Sequence, residues 1–272
     1  MNEIVNINEI QYVLGDILKY FKTVCEENNL NFILSNGTML GAVKYNGFIP
    51  WDDDADVFMP REDYDVLQKV LSNQNSHYKL ISRETEPCCK LTYSKLIDTR
   101  TLLVESNADF GVELGLFLDI FPIDNWHSNR RIAKLQAVYS ELLKRLMVAA
   151  NIQRFDAKGS FIKKFILFII WKAGQIIGYE KTRMLNDKLV KSNRKMQSAY
   201  KGNVVWTCYS SKEVIPADVF EKTIMVNFGK EKYPVPAEYD TYLSSLYGDW
   251  RRELPVDKQK SNHKIKAWWK DE

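Results

Sequence analysis

The sequence predicts an α+β protein: a mixed β-sheet flanked by helices in the first half of the chain, and a helical second half. Three observations carry that expectation. An amphipathic helix opens the chain, short β-favouring runs separated by polar or glycine-containing breaks fill residues 78–124, and long stretches at helical spacing occupy residues 131–196. The texture changes after Asp124, which divides the chain into 1–125 and a mainly helical 126–272.

The opening helix is read from Ile10, Val13, Leu14, Ile17, Leu18, Phe21, Val24 and Cys25, which share one stripe at helical spacing. Asn8 followed by Gln11 reads as its capping box, and Asn28-Asn29 ends it. Phe32-Ile33-Leu34 is a short buried strand. Met39–Lys44 is helix-like, and Asn46-Gly47 is a turn. The second half of Pro50–Met59 alternates apolar and acidic residues as a strand with one wet face does. Pro60 closes that strand, and Tyr64, Leu67, Val70 and Leu71 mark the next helix. Four short strands follow: Tyr78–Ser82, Leu91–Ile97, Thr101–Glu105 and Leu116–Phe121. Arg131–Ala150, Phe161–Ile177 and Glu180–Met196 read as helices, Thr223–Phe228 with Lys232–Val235 as a hairpin around Gly229-Lys230, and Tyr239–Tyr247 as a last helix before a basic, Trp-containing tail.

Composition removes several classes of function. Of 272 residues, 45% are hydrophobic and 27% charged, as in an ordinary globular protein, so wholesale disorder is excluded. Lys+Arg 38 against Asp+Glu 35 is too balanced for bulk-charge binding of nucleic acid. Cys25, Cys88, Cys89 and Cys208 form no C-x-x-C pair, which argues for reduced thiols. The first residues lack a basic and apolar leader, and no uncharged apolar run reaches the roughly 18 residues of a spanning helix. The expectation is a cytoplasmic protein, either free or peripheral at the inner face of the membrane. Phe161–Ile177, with Lys163-Lys164 ahead of an apolar run, reads either as a buried helix or as one lying in the membrane interface.

The informative feature is Asp52, Asp53, Asp54 and Asp56 within five residues. On a strand Asp54 and Asp56 project to one face, with Asp52 just ahead of them. Carboxylates side by side repel unless a cation lies between them or one takes a proton. Mg²⁺ and Mn²⁺ both suit oxygen ligands, and Mg²⁺ is usually held by one or two carboxylates together with substrate phosphates. A run of Asp is commonly a solvated turn, but this one lies between Ile49-Pro50-Trp51 and Val57-Phe58-Met59, which favours a metal site. Gly37-Thr38, upstream between a strand and a helix-like stretch, can present N–H groups and a hydroxyl to a phosphate. Asp119, flanked by large apolar residues, supplies a third carboxylate or a structural Asp bonded to backbone amides.

Ser35–Lys44, Gly47–Val57 and Met59–Tyr64 together resemble the signature of the LicD family of phosphotransferases, relatives of fukutin and fukutin-related protein. The likeness continues at Lys95 before Asp98 and Thr101, at Asp119–Asp124, at Val235-Pro236 and at Tyr247–Trp250. The resemblance implies a nucleotidyltransferase-like fold, with 1–125 as catalytic core and 126–272 completing the LicD domain. It implies a metal-dependent transfer of a phospho-alcohol group, such as phosphocholine or ribitol phosphate, from a CDP-linked donor to a glycan or lipid-linked glycan. Asp54 and Asp56 match its metal pair, Asp119 its third carboxylate, and Gly37-Thr38 its phosphate motif. The distance from Gly37-Thr38 to Asp54 is longer than in typical nucleotidyltransferases, and Asp52, in register with Asp54 and Asp56, is an alternative ligand to Asp119. Arg61 and Lys95 are candidates for donor diphosphate contacts or for surface salt bridges. His263 stands where the family often has a His and is a candidate substrate contact; His77 and His127 have no metal-ligand spacing. Two other readings stay open: a nucleotidyltransferase moving a nucleoside monophosphate to a small hydroxyl acceptor, and a non-catalytic binding module.

Overall fold

The structure, a computed structural model, describes residues 1–72, 76–104, 109–157, 159–261 and 266–271. Glu105 and His263, both singled out above, lie outside the described residues. The chain falls into two units. The first comprises Met1–Glu105, Gly111–Ile123 and Pro216–Glu272, and the second Ser106–Phe110 and Asp124–Ile215. The sequence reading placed 126–272 in one mainly helical portion, whereas the structure returns 216–272 to the first unit.

The first unit begins with β1 (Asn2–Ile4) and α1 (Ile7–Glu27), followed by β2 (Ile33–Leu34), α2 (Asn36–Tyr45), β3 (Asp56–Pro60) and α3 (Arg61–Leu71). Next come β4 (Tyr78–Ile81), β5 (Ser94–Asp98), β6 (Thr101–Val104) and β7 (Phe117–Asn125), whose last two residues belong to the second unit. The α1 stripe is the one the sequence predicts: the same eight side chains are buried. Its cap differs. Asn6 is the N-cap, accepting from the Asn8 N–H, and Gln11 instead donates to the carbonyls of Ile49 and Asp52, 38 and 41 residues away. A capping-box pattern predicts a local bond, but here the loop carbonyls ahead of β3 take the amide.

The main sheet runs β2-β3-β7-β5-β4. β3 and β7 are parallel and the other pairs antiparallel, so the sheet is mixed, as expected. β3 does not have the wet face its alternation suggested: residues 56–59 are all buried, and α2 and α3 pack against the strand. Only Asp56 of the acidic run belongs to the strand; Asp52 and Asp54 lie on the approach to it.

Several family-signature residues hold this unit together. The Ser94 hydroxyl bonds the Tyr64 hydroxyl at 2.7 Å and accepts from Gln68 at 2.8 Å, tying α3 to β5. Asp98 accepts a two-pronged contact from Arg100, and the Thr101 hydroxyl links the Asp98 carbonyl to the Leu116 N–H. Gly41 is required by a close approach: a Cβ there would stand 2.5 Å from the Gly47 carbonyl oxygen, where the Asn46-Gly47 turn folds back over α2.

In the C-terminal part of this unit, β10 (Thr223–Phe228) and β11 (Glu231–Pro236) form the expected hairpin, preceding α7 (Tyr239–Tyr247). The tail is a strand, β12 (Lys266–Trp269), between β1 and β6. Trp268 and Trp269 therefore pack in a small sheet, and the Trp269 indole donates to Glu9.

The second unit holds α4 (Arg130–Asn151), α5 (Phe161–Ile177), α6 (Tyr179–Arg194), and the strands β8 (Tyr200–Gly202) and β9 (Ile215–Pro216), the latter ending in the first unit. Its core gathers Trp126, Ala133, Ala137, Val204 and Val214. α5 is not the buried helix that one sequence reading allowed, since Gly174 is its one buried residue.

Glu213 is fully enclosed here, accepting from the Cys208 and Tyr209 N–H groups at 2.6 and 2.7 Å. Burial pushes its carboxyl up to about 7 against the opposing pull of those N–H groups and Lys144. Between its ordinary 4.5 and about 7, the folded chain keeps a proton that the unfolded chain has lost. Stability from this group is therefore complete below pH 4.5 and falls as pH rises through 7, by about 3 kcal/mol in all. Urea midpoints at pH 5 and pH 8 check this: Glu213→Gln is expected to show a distinctly smaller loss between the two.

Candidate active site

The parallel register of β3 on β7 sets Asp56 beside Asp119, and the antiparallel register of β5 on β7 sets Lys95 beside Asp119. Paired residues on adjacent strands project to the same face. Asp56, Asp119 and Lys95 thus form one row across three strands. All three are buried, and the Lys95 ammonium lies 2.5 Å from Asp119 Oδ1. The same ammonium sits 3.2 Å from the centre of the Phe117 ring, one row away on β7. Lys95 is therefore neither a surface salt bridge nor a solvated cation: its charge is fixed between a carboxylate and a ring face.

At the Asp56 end the electrostatics are unfavourable. Burial pushes the Asp56 carboxyl well above the usual carboxylate range, and Asp54, Asp119 and Asp52 push it the same way, while Lys95 pulls it back. The acidic run and Asp119 are thus close enough to feel one another, in an environment that favours an added proton or a cation.

Three features position the acidic run. The Asp56 N–H donates to the Thr38 hydroxyl at 2.8 Å, which fixes the start of β3 against the first turn of α2. Gln11 holds the Asp52 carbonyl. Gly37 leaves space for a carboxylate: a Cβ on it would stand 2.7 Å from Asp52 Oδ2. The N-terminus of α2, which the sequence reading assigned to donor phosphate, therefore has Asp52 against Gly37. That brings Gly37, Thr38, Asp52 and Asp56 together.

Arg61 is placed elsewhere. It follows the end of β3, about 16 Å along the strand from Asp56. Its guanidinium lies over Tyr64 and 3.6 Å from Asp65 on its own helix. Among the described residues, no three His, Cys, Asp or Glu side chains converge as a ready-made metal cage. The donor set suits a hard divalent cation that takes one or two carboxylates here and its remaining oxygens from phosphate and water. Asp54 and Asp56 are the pair that could hold it, because Asp119 already has Lys95 as counter-charge.

Sequence reasoning assigned no role to Asn36 or Tyr242. Asn36 takes a left-handed φ of 45° at the turn into α2, a conformation Asn tolerates better than most residues. The Tyr242 hydroxyl, from α7, donates to its side-chain oxygen at 3.1 Å. Asn36 within Ser35-Asn36-Gly37-Thr38 was a visible signal, whereas Tyr242, 206 residues away, gave none.

Residues 29–167, just over half of the chain, match the family model described as LicD/FKTN/FKRP, nucleotidyltransferase domain. The chain belongs to the LicD family. It is 28% identical over 267 residues to the lipopolysaccharide cholinephosphotransferase LicD of Haemophilus influenzae, covering 96% of this chain and 97% of that protein. A 58-residue stretch is 38% identical to a Rickettsia prowazekii protein named as uncharacterized, 21% of this chain and 22% of the other. The expected family membership and the α+β class both hold. The matched span contains Gly37, Thr38, Asp52, Asp54, Asp56, Arg61, Lys95 and Asp119, but not Gln11, Tyr242 or His263.

Proposed function

We propose that this LicD family chain is a metal-dependent phosphotransferase. It moves a phospho-alcohol group, of the phosphocholine or phospho-polyol type, from a CDP-linked donor to a hydroxyl of a cell-surface glycan or its lipid-linked precursor, and releases CMP. The observation that carries this reading is the Asp56-Asp119-Lys95 row with Asp54 and Asp52 beside it, in a chain similar over nearly its full length to a lipopolysaccharide cholinephosphotransferase.

In the reaction the acceptor oxygen forms a bond to the phosphorus that carries the alcohol, and the anhydride bond to the CMP oxygen breaks. Mg²⁺ or Mn²⁺, bound by Asp54 and Asp56 with Asp52 alongside, would neutralise the charge that develops on the phosphate oxygens. Asp119, oriented by Lys95, is the group that takes the proton of the attacking hydroxyl. Thr38 and Gly37 hold the Asp52–Asp56 segment against α2, so they serve the donor phosphates through the geometry of that segment. Nothing in the placement of Arg61 supports a diphosphate contact.

The test is product analysis with a panel of CDP-alcohols, Mg²⁺ or Mn²⁺ and a membrane glycan extract as acceptor. Metal-dependent CMP release is expected, and its loss in the Asp54→Ala/Asp56→Ala variant. Release of free phospho-alcohol instead of CMP would establish the nucleotidyltransferase reading, and no turnover with any CDP-alcohol would sink the phosphotransferase reading.

A further inference from the structure

α5 is attached to its neighbours along one narrow side. Gly174 lies against the Leu146 carbonyl and Ala149 of α4, leaving no space for a side chain. The Trp171 indole donates to the Ile152 carbonyl, and Gln175 donates to the carbonyls of Ala149 and Ile152. Leu167, Ile170, Trp171 and Ala173 are half-buried, and the other side chains of the helix are exposed. Phe161 is 83% exposed, Ile162 71%, Phe165 55% and Ile176 80%, and Ile166 and Ile169 are exposed to a similar degree as Phe165.

At 100° per residue these side chains fill one broad arc of the helix, with Lys163 and Lys164 beyond its two edges and Lys172 within it. Lys172 lies over Trp171 and Phe168, 5.0 and 5.9 Å from the ring centres, its stem on apolar surface and its charge at the end. Further along α4, Leu135, Val138, Tyr139 and Leu142 are exposed on the side of that helix where Leu146 and Ala149 meet α5. The apolar surface is therefore shared by two helices. Isolated exposed hydrophobics are ordinary, but a contiguous patch of this kind marks an interaction site.

Charge identifies the occupant. Residues 130–196, the three-helix segment, carry sixteen Lys and Arg against four Asp and Glu, a net +12 in a chain of net +3, which leaves −9 for the remainder. α5 itself has three Lys and no acidic residue. A symmetric dimer through this face would press two such cationic segments together, which like-charge repulsion opposes. An apolar arc rimmed by cations fits a bilayer with anionic headgroups, where the rings enter the acyl boundary and the ammonium groups stay at the phosphates. Among the described residues no helix is long and apolar enough to cross a membrane, so the fitting geometry is a helix lying in the surface.

We propose that the exposed face of α5 and the adjoining stripe of α4 form a docking surface for an anionic phospholipid bilayer. This goes beyond the proposed reaction, since vesicle binding requires no donor, acceptor or turnover. The test is flotation of the full chain with vesicles of phosphatidylcholine alone or with about 30 mol% phosphatidylglycerol, at low and high salt. Strong retention by the anionic vesicles, weakened by salt, is expected. Phe165→Glu/Ile169→Glu and Lys163→Glu/Lys164→Glu should each reduce partitioning at least about tenfold. All four side chains are exposed, so circular dichroism and urea midpoints should be unchanged. No binding to anionic vesicles, or equal binding by folded variants, overturns the proposal. So does a wild-type dimer that ignores vesicles and becomes monomeric in Phe165→Glu/Ile169→Glu.

Discussion

Asp56→Asn is expected to lower the rate of CMP release at least about 10³-fold while leaving the thermal unfolding midpoint unchanged or higher. The substitution keeps the size and shape of the side chain and removes its charge. In the unliganded protein that charge is a burden: burial disfavours it, and Asp54, Asp119 and Asp52 crowd it. A carboxylate retained for packing would lower the midpoint when replaced, because its partners would be left unsatisfied. One retained to bind a cation and a phosphoanhydride should instead be dispensable for folding and indispensable for rate. Initial rates and a melting curve on the same preparation separate the two. A fall in midpoint of several degrees with residual activity would assign Asp56 to structure and sink the metal-site reading.

The second large effect lies on the other side of Asp119. Lys95→Met removes the ammonium that sits 2.5 Å from a buried carboxylate, while the Met side chain fills most of the space beside Phe117. Lys95 is only 3% exposed, so water cannot replace the lost partner, and a loss of about 3–5 kcal/mol is expected. For a chain of this size that corresponds to roughly 10 °C or more in the unfolding midpoint. The double variant Lys95→Met/Asp119→Leu removes both charges and should recover most of the stability, since a buried pair is often no more stable than well-packed apolar side chains. It should not recover phosphotransfer. A double variant as unstable as Lys95→Met, or one that turns over, would show that the pair is not the orienting contact proposed here.

These two results bear on different layers of what the sequence disclosed. The acidic run was legible because four Asp side chains between apolar flanks are chemically conspicuous, and a family signature surrounds them. Asp119 was legible for the same reason, as one carboxyl inside an apolar strand. Lys95 was visible as a candidate, yet its state was not. An exposed lysine and a buried, paired one have the same letter, and only the register of β5 on β7 puts its ammonium against Asp119. The Gly37-Thr38 pair was read as a phosphate cradle, whereas the hydroxyl accepts from Asp56 and the glycine admits Asp52.

The sequence by itself determined the elements whose cause is local. The buried stripe of α1, the hairpin around Gly229-Lys230, the limits of α5 and α7 and the chemistry of the acidic run all follow from periodicity, turn residues and side-chain type within a few positions. Tertiary structure decided what depends on distant partners. It set the Asp56-Asp119-Lys95 row through the registers of β3, β7 and β5. It placed the Trp-containing tail between β1 and β6, with Trp269 reaching Glu9 across 260 residues. It also left α5 outside the core. An apolar helix reads the same whether protein or solvent faces it, and the difference is fixed only by how little of α5 its neighbours cover.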